Sequence, residues 1–173
     1  MGLSIHERGE SWMPIAVTYE KDKRDRVVLA RALITPPFSE GQRTDPRVDP
    51  PGFKNRGGLL NEARCHIIGA QLGGSNTDPD NFFWGEHDPF NTPDMRHIEN
   101  VVANVAKANR TIEYIVRLQY TDADREYAFQ DYIYYAPVWL YFEAYANGQP
   151  LLPEETRVFN PLGLRGDIDH LPR

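Results

Sequence analysis

One amphipathic helix pattern stands among alternating segments, and that arrangement limits the fold more than any other feature. Met95, Ile98, Val102 and Val105 recur at helical spacing, so one face of this stretch packs inward. Thr92 is suited to cap it, Pro93 to open it, and Asp94 faces the positive end of the helix dipole. The expected helix spans 92–108 and fades near Asn109. On either side lie strand patterns. Residues 15–20 (IAVTYE) and 26–34 (RVVLARALI) alternate, and the polar KDKRD between them reads as a hairpin turn. In TIEYIVRLQY (111–120), Ile112, Tyr114, Val116, Leu118 and Tyr120 share a face. A further strand pattern covers 132–146, with Val138, Leu140, Phe142 and Ala144 facing one way and Trp139, Tyr141 and Tyr145 the other. Pro137 implies an edge or a bulge there. One helix laid on an antiparallel sheet is an α+β fold.

The bulk properties narrow the function. A chain of 173 residues, 40% hydrophobic, is enough for one domain with its own core. No stretch approaches the roughly 18 apolar residues of a membrane span. MGLSIHERGESWMP has no apolar signal region, so the expectation is a cytoplasmic chain or one delivered as part of a larger secreted protein. We read 1–14 as an N-terminal extension, 15–146 as the domain and 147–173 as a tail packed on it, with Asn147-Gly148 as a turn. Thr35 to Gly58 is a long irregular excursion, and 78–91 carries turn chemistry throughout, its aromatics pinning it to the core. Cys65, the single cysteine, excludes an internal disulfide and a cysteine-rich zinc site. A net charge of −6 and a pI near 5.4 argue against a module that grips duplexes mainly by neutralising phosphates. A nuclease needs only local positive charge, and Arg43, Arg47, Lys54, Arg56 and Arg64 gather ahead of and within the central motif.

The middle third holds residue types suited to phosphodiester hydrolysis. That reaction needs a base that titrates near ~7, which an imidazole supplies. It needs a hard divalent cation, for which an asparagine amide and waters are apt ligands. It gains from a directional cationic donor at the phosphate, such as arginine. His66, Asn91 and Arg64 offer these three, and alternation along a strand turns Arg64 and His66 to one face. Glu99 follows Asn91 by eight positions (99 − 91 = 8).

ARCHIIGAQLGGSNTDPDNFF followed by FNTPDMRHIENVV resembles the DNA/RNA non-specific endonucleases, whose members carry Asp-Arg-Gly-His or a related motif. Ala63 and Cys65 stand here where that motif has Asp and Gly. Some members also place an arginine where this chain has Ala103. The resemblance is strongest over 59–102 and closest to the C-terminal nuclease domains of polymorphic and type VII-secreted bacterial toxins. It implies an antiparallel sheet with a ββα-metal (His-Me finger) core and one principal helix. By the same resemblance His66 is the general base, Asn91 the metal ligand, Glu99 the residue that orients water at the metal, and Arg64 a phosphate contact. Asn81 helps shape the site, and with Lys54 and Arg56 from the basic stretch it is assigned to the substrate. The implied cofactor is Mg²⁺, with Mn²⁺ as substitute. The implied partners are DNA and RNA, with an immunity or inhibitor protein for a toxin.

Plainer readings stand beside these. His66 could be a hydrogen-bonded structural residue, Asn91 a helix-entrance residue and Glu99 part of a solvated face. Cys65, His66, His87 and His97 lack regular zinc-site spacing. Cys65 and His66, being strand neighbours, point apart and make a poor nucleophile-base pair. The aromatic residues of 127–145 suit sheet packing better than base stacking. The alternative function is a nuclease fold without catalysis, binding nucleic acid or protein.

Overall fold

The structure is a computed structural model describing residues 15–36, 48–50, 62–108, 110–120 and 136–164. Its elements are β1 (Ile15–Lys21), β2 (Val27–Ile34), β3 (Glu62–His66), β4 (Phe82–Glu86), α1 (Arg96–Lys107), β5 (Ile112–Gln119), β6 (Trp139–Ala146), β7 (Gln149–Pro150) and β8 (Arg157–Phe159). Six strands make one antiparallel sheet in the order β1-β2-β5-β6-β7, with β8 also on β6. β3 and β4 pair separately as a two-stranded sheet.

The inner face of the large sheet follows the alternation in the sequence. Ala32, Tyr114 and Ala144 lie side by side across three strands and are all buried, so the tyrosine ring is flanked by small residues. The adjacent rows set Ala30 beside Val116 and Phe142, and Ile34 beside Ile112 and Ala146. α1 lies against β5 and β6, burying Ile98, Val102, Ala103 and Ala106. This alternation of large and small side chains leaves room for the helix at interior packing density. The outer face carries a polar network beside Leu33 and Ile115: Arg117 pairs with Glu143, Tyr145 donates to Glu143 at 2.8 Å and Tyr141 to Gln119 at 2.9 Å. The tyrosines of β6 are thus engaged with the sheet's own side chains.

Three expectations are corrected. The segment 78–91 is not turn throughout, because Phe82–Glu86 is a strand whose consecutive aromatics pair with β3. Aromatic residues favour strands, and Phe82, Phe83 and Trp84 are all buried here. The helix does not begin at a Thr92 cap. It runs unbroken out of π-helical turns over His87–Met95, which contain Pro93. Proline has no N–H to donate to the i−4 carbonyl, so the ordinary ladder cannot run through it. Finally, the segment after Asn147 does more than pack on the domain, since β7 and β8 extend the sheet. The turn at Asn147-Gly148 has both residues at positive φ (52° and 74°), as its sequence implied. The excursion at 35–58 lies largely outside the described residues.

Asn160 fastens this last segment to the small sheet. Fully buried, it accepts from the Glu86 N–H at 3.2 Å and donates to the carbonyls of Trp84 (3.2 Å) and Pro137 (2.8 Å). Asn160→Ala removes three hydrogen bonds at a dry position and is expected to cost about 2–4 kcal/mol. The check is a thermal melt, with the midpoint falling by roughly 5–15 °C for a domain of this size.

Candidate active site

The site is built around the 67–81 connection between β3 and β4. Cys65 turns into the core while Arg64 and His66 are half-buried, as strand alternation requires. After β3 the chain turns sharply. The Ile67 N–H donates to the Asn81 carbonyl at 2.8 Å and the Gly74 N–H to the Gly69 carbonyl at 3.1 Å. Gly73 sits at φ 95°, in the region that favours glycine. Gly74 serves a different need: a Cβ there would stand 1.7 Å from the Ile68 carbonyl oxygen. Asn81 closes the turn, accepting from the Ile68 N–H at 2.9 Å and donating to the carbonyls of Ile68 (3.0 Å) and Ser75 (2.8 Å). This fully buried amide, assigned from sequence to the substrate, is committed to main chain and braces the turn. Lys21 reaches Asp80 at 2.7 Å, tying the connection to β1.

That turn presents Asn76 to the histidine. His66 Nε2 lies 2.8 Å from Asn76 Oδ1, and the ring packs on Phe82 with centroids 4.5 Å apart. An amide oxygen accepts, so this contact suits the tautomer with its proton on Nε2. Asn76 was missed in the sequence, where Gly-Gly-Ser-Asn is ordinary turn chemistry with nothing to single it out.

Arg64 is ion-paired through Nε with Asp49. Asn91 and Glu99 are both half-buried on the helical segment that follows β4, and its π-helical part packs against β3 and β4. The π turns matter for their alignment. Eight residues of α-helix advance about 800°, which would leave the two roughly 80° apart. π-helical turns are wider and rotate less per residue, which narrows that separation. Met95, between them, is buried at 1% exposure.

The Glu99 carboxylate accepts a hydrogen bond from Gln71 Nε2 at 2.9 Å. Its negative charge is felt in the core. Burial first, and Glu99 second, push both the Cys65 thiol and the Tyr114 phenol above their ordinary pKa values. A buried protonated thiol is no nucleophile. Lys54 and Arg56 lie outside the described residues, as do Arg43 and Arg47. His87 and His97 are exposed, and no group of three or more His, Cys, Asp or Glu gathers among the described residues. An amide oxygen and a carboxylate are hard donors that fit a magnesium-like ion completed by water, and do not fit a sulfur or imidazole zinc cage.

The two-stranded sheet with its following helix is a ββα unit, and comparison with known proteins identifies it. The family model of DNA/RNA non-specific endonucleases matches residues 6–130. The chain belongs to that family. It is an endonuclease by membership, and several solved nucleases share its α+β fold. NucA from Streptococcus agalactiae, solved with a magnesium ion bound, is 17% identical over 90% of this chain and 73% of that one, with a TM-score of 0.60. The same nuclease with no metal bound gives 18% identity, 84% and 68% coverage and a TM-score of 0.58. Sda1 nuclease, with a zinc ion bound, gives 18%, 83% and 73%, and 0.55. No curated protein matches the chain. No helix among the described residues is long and apolar enough to cross a membrane.

Proposed function

We propose that this endonuclease is metal-dependent and hydrolyses DNA and RNA without sequence preference. His66 is the general base, Asn91 holds a divalent ion, Glu99 orients water at that ion, and Arg64 contacts the phosphate. One observation carries the reading: the β3–β4 sheet, with His66 hydrogen-bonded through Nε2 to Asn76, packs against the helical segment that carries Asn91. Among solved neighbours, NucA holds magnesium and Sda1 holds zinc, which supports a divalent ion, and the oxygen donors here favour Mg²⁺ with Mn²⁺ as substitute. When bound, that ion supplies positive charge for the phosphate and the departing 3′ oxygen.

The chain's own residues do the rest. Asn76 holds the imidazole in one tautomer, and Nδ1 takes the proton of the attacking water. Arg64 exchanges its Asp49 partner for a phosphate oxygen, gaining a charge-assisted bond of similar strength. Cys65 leaves this chemistry untouched, because its side chain is buried in the core cluster on the other side of the strand.

The test is incubation with supercoiled plasmid and total RNA, with Mg²⁺, with chelator, and with Mg²⁺ restored. Cleavage that stops with chelator and returns with metal is expected. Intact substrate in every arm contradicts the reading, and retarded but uncut DNA would assign the fold to binding. We extend the proposal to a toxin or effector role, with an immunity protein as partner, on sequence resemblance alone. Expression in the bacterial cytoplasm should then arrest growth, and unimpaired growth with active enzyme present would count against that role.

A further inference from the structure

Gly69 has no conformational reason to be glycine. Its backbone, at φ −59° and ψ 146°, is one that any residue adopts. What excludes a side chain is Glu99: a Cβ on Gly69 would lie 2.3 Å from Oε1, 2.4 Å from Cδ and 2.5 Å from Oε2. The carboxylate therefore rests directly on the bare Cα of a buried turn residue. Two positions later, at the 3-10 turn Ala70–Leu72, Gln71 Nε2 donates to Glu99 Oε2 at 2.9 Å. The turn contacts the carboxylate twice, once by making space and once by donating a hydrogen bond. α1 packs against this same turn, so the two contacts are part of how the helix is seated.

We propose that Gly69 and Gln71 form a cradle that positions the Glu99 carboxylate for the divalent ion, with Gln71 acting as a positioning residue. The inference rests on the metal-dependent reading above. An amide N–H donor suits the task because it fixes one carboxylate oxygen without neutralising its charge, as an arginine or lysine would. The electrostatics are consistent, since burial first and the Glu99 charge second raise the pKa of both the Cys65 thiol and the Tyr114 phenol, as a carboxylate facing the core would. Partners of this kind commonly carry about 10–100-fold in metal affinity or activity.

The experiment compares wild type, Gln71→Leu, Gly69→Ala and Glu99→Ala, and the double variant of Gln71→Leu with Glu99→Ala. Mn²⁺ affinity is measured by electron paramagnetic resonance, with kcat, KM and thermal midpoint beside it. Gln71→Leu and Gly69→Ala should each weaken Mn²⁺ binding and lower kcat by about tenfold, leaving KM nearly unchanged. In the Glu99→Ala background, Gln71→Leu should cost nothing further. Gln71→Leu changes no buried backbone contact, so it keeps the proposal testable should Gly69→Ala fail to fold. Wild-type Mn²⁺ affinity and kcat in Gln71→Leu, or a full additional loss on top of Glu99→Ala, would overturn the cradle alone. A wild type that binds no Mn²⁺ and cuts nothing would overturn both the cradle and the metal-dependent reading.

Discussion

Replacing His66 by alanine is expected to lower kcat by about 10²–10⁴-fold, the range that general-base catalysis supplies. The fold should survive. The imidazole sits on the half-buried side of β3, outside the core cluster that Cys65, Ile67 and Ile68 join. Substrate binding through the phosphate contacts should also survive, so the loss should fall on kcat with little change in KM. Added imidazole should restore part of the rate in the space left by the ring. A companion variant examines the tautomer. In Asn76→Asp a carboxylate replaces the amide acceptor at Nε2, stabilising the imidazolium and raising its pKa. The base works only when neutral, so activity should switch on at higher pH than in wild type. A pH-rate profile reads this directly, and an acid limb that stays in place would remove Asn76 from the mechanism.

Gly74→Ala should be the most damaging single change to stability. The new methyl would stand 1.7 Å from the Ile68 oxygen, 2.6 Å from its carbonyl carbon and 2.8 Å from Asn81 Nδ2. Two of these atoms are backbone and the third belongs to the buried amide that braces the turn, so none can swing aside as the end of a flexible chain could. The β3–β4 connection must open, breaking the hydrogen bonds of Asn81 and presenting Asn76 wrongly to His66. A cost of at least about 3 kcal/mol is expected, a large fraction of the 5–15 kcal/mol that holds a typical domain. Gly148→Ala is the control. Nothing lies within 4 Å of a Cβ there, and only its positive φ of 74° opposes the change, for roughly 1 kcal/mol. Denaturant titrations of the two variants should differ by at least about 2 kcal/mol. Equal costs would mean that crowding at Gly74 is relieved by backbone movement.

The large sheet was legible because its inner face obeys a period of two without interruption, from Ala30 through Tyr114 to Phe142. The same simplicity made the helix visible but not its beginning. Pro93 and Asp94 imitate the first turn of an α-helix, whereas the structure runs π-helical turns through them. Local cap chemistry cannot show that a helix is already under way. β4 was hidden for a related reason: Asp78, Pro79 and Asp80 before it and Asp88 and Pro89 after it are strong turn formers that mask five strand residues. Within the candidate site, His66, Asn91 and Glu99 were singled out by order and spacing in a familiar motif. Their helpers were not, because each acts across a turn that sequence does not fold: Asn76 meets His66 from ten residues away, Gln71 meets Glu99 from twenty-eight. Asn81 was singled out as shaping the site, and its main-chain partners, Ile68 and Ser75, became visible only in the folded turn.

The most direct test of the account is equilibrium Mn²⁺ binding by the wild type, His66→Ala and Asn91→Ala. Wild type and His66→Ala should bind one ion with similar affinity, because in the proposed mechanism the imidazole acts on water and holds no metal. Asn91→Ala should bind at least about 10-fold more weakly, having lost a direct ligand. Unchanged affinity in Asn91→Ala, or a wild type that binds no Mn²⁺, would contradict the division of labour between base and ligand on which the mechanism rests.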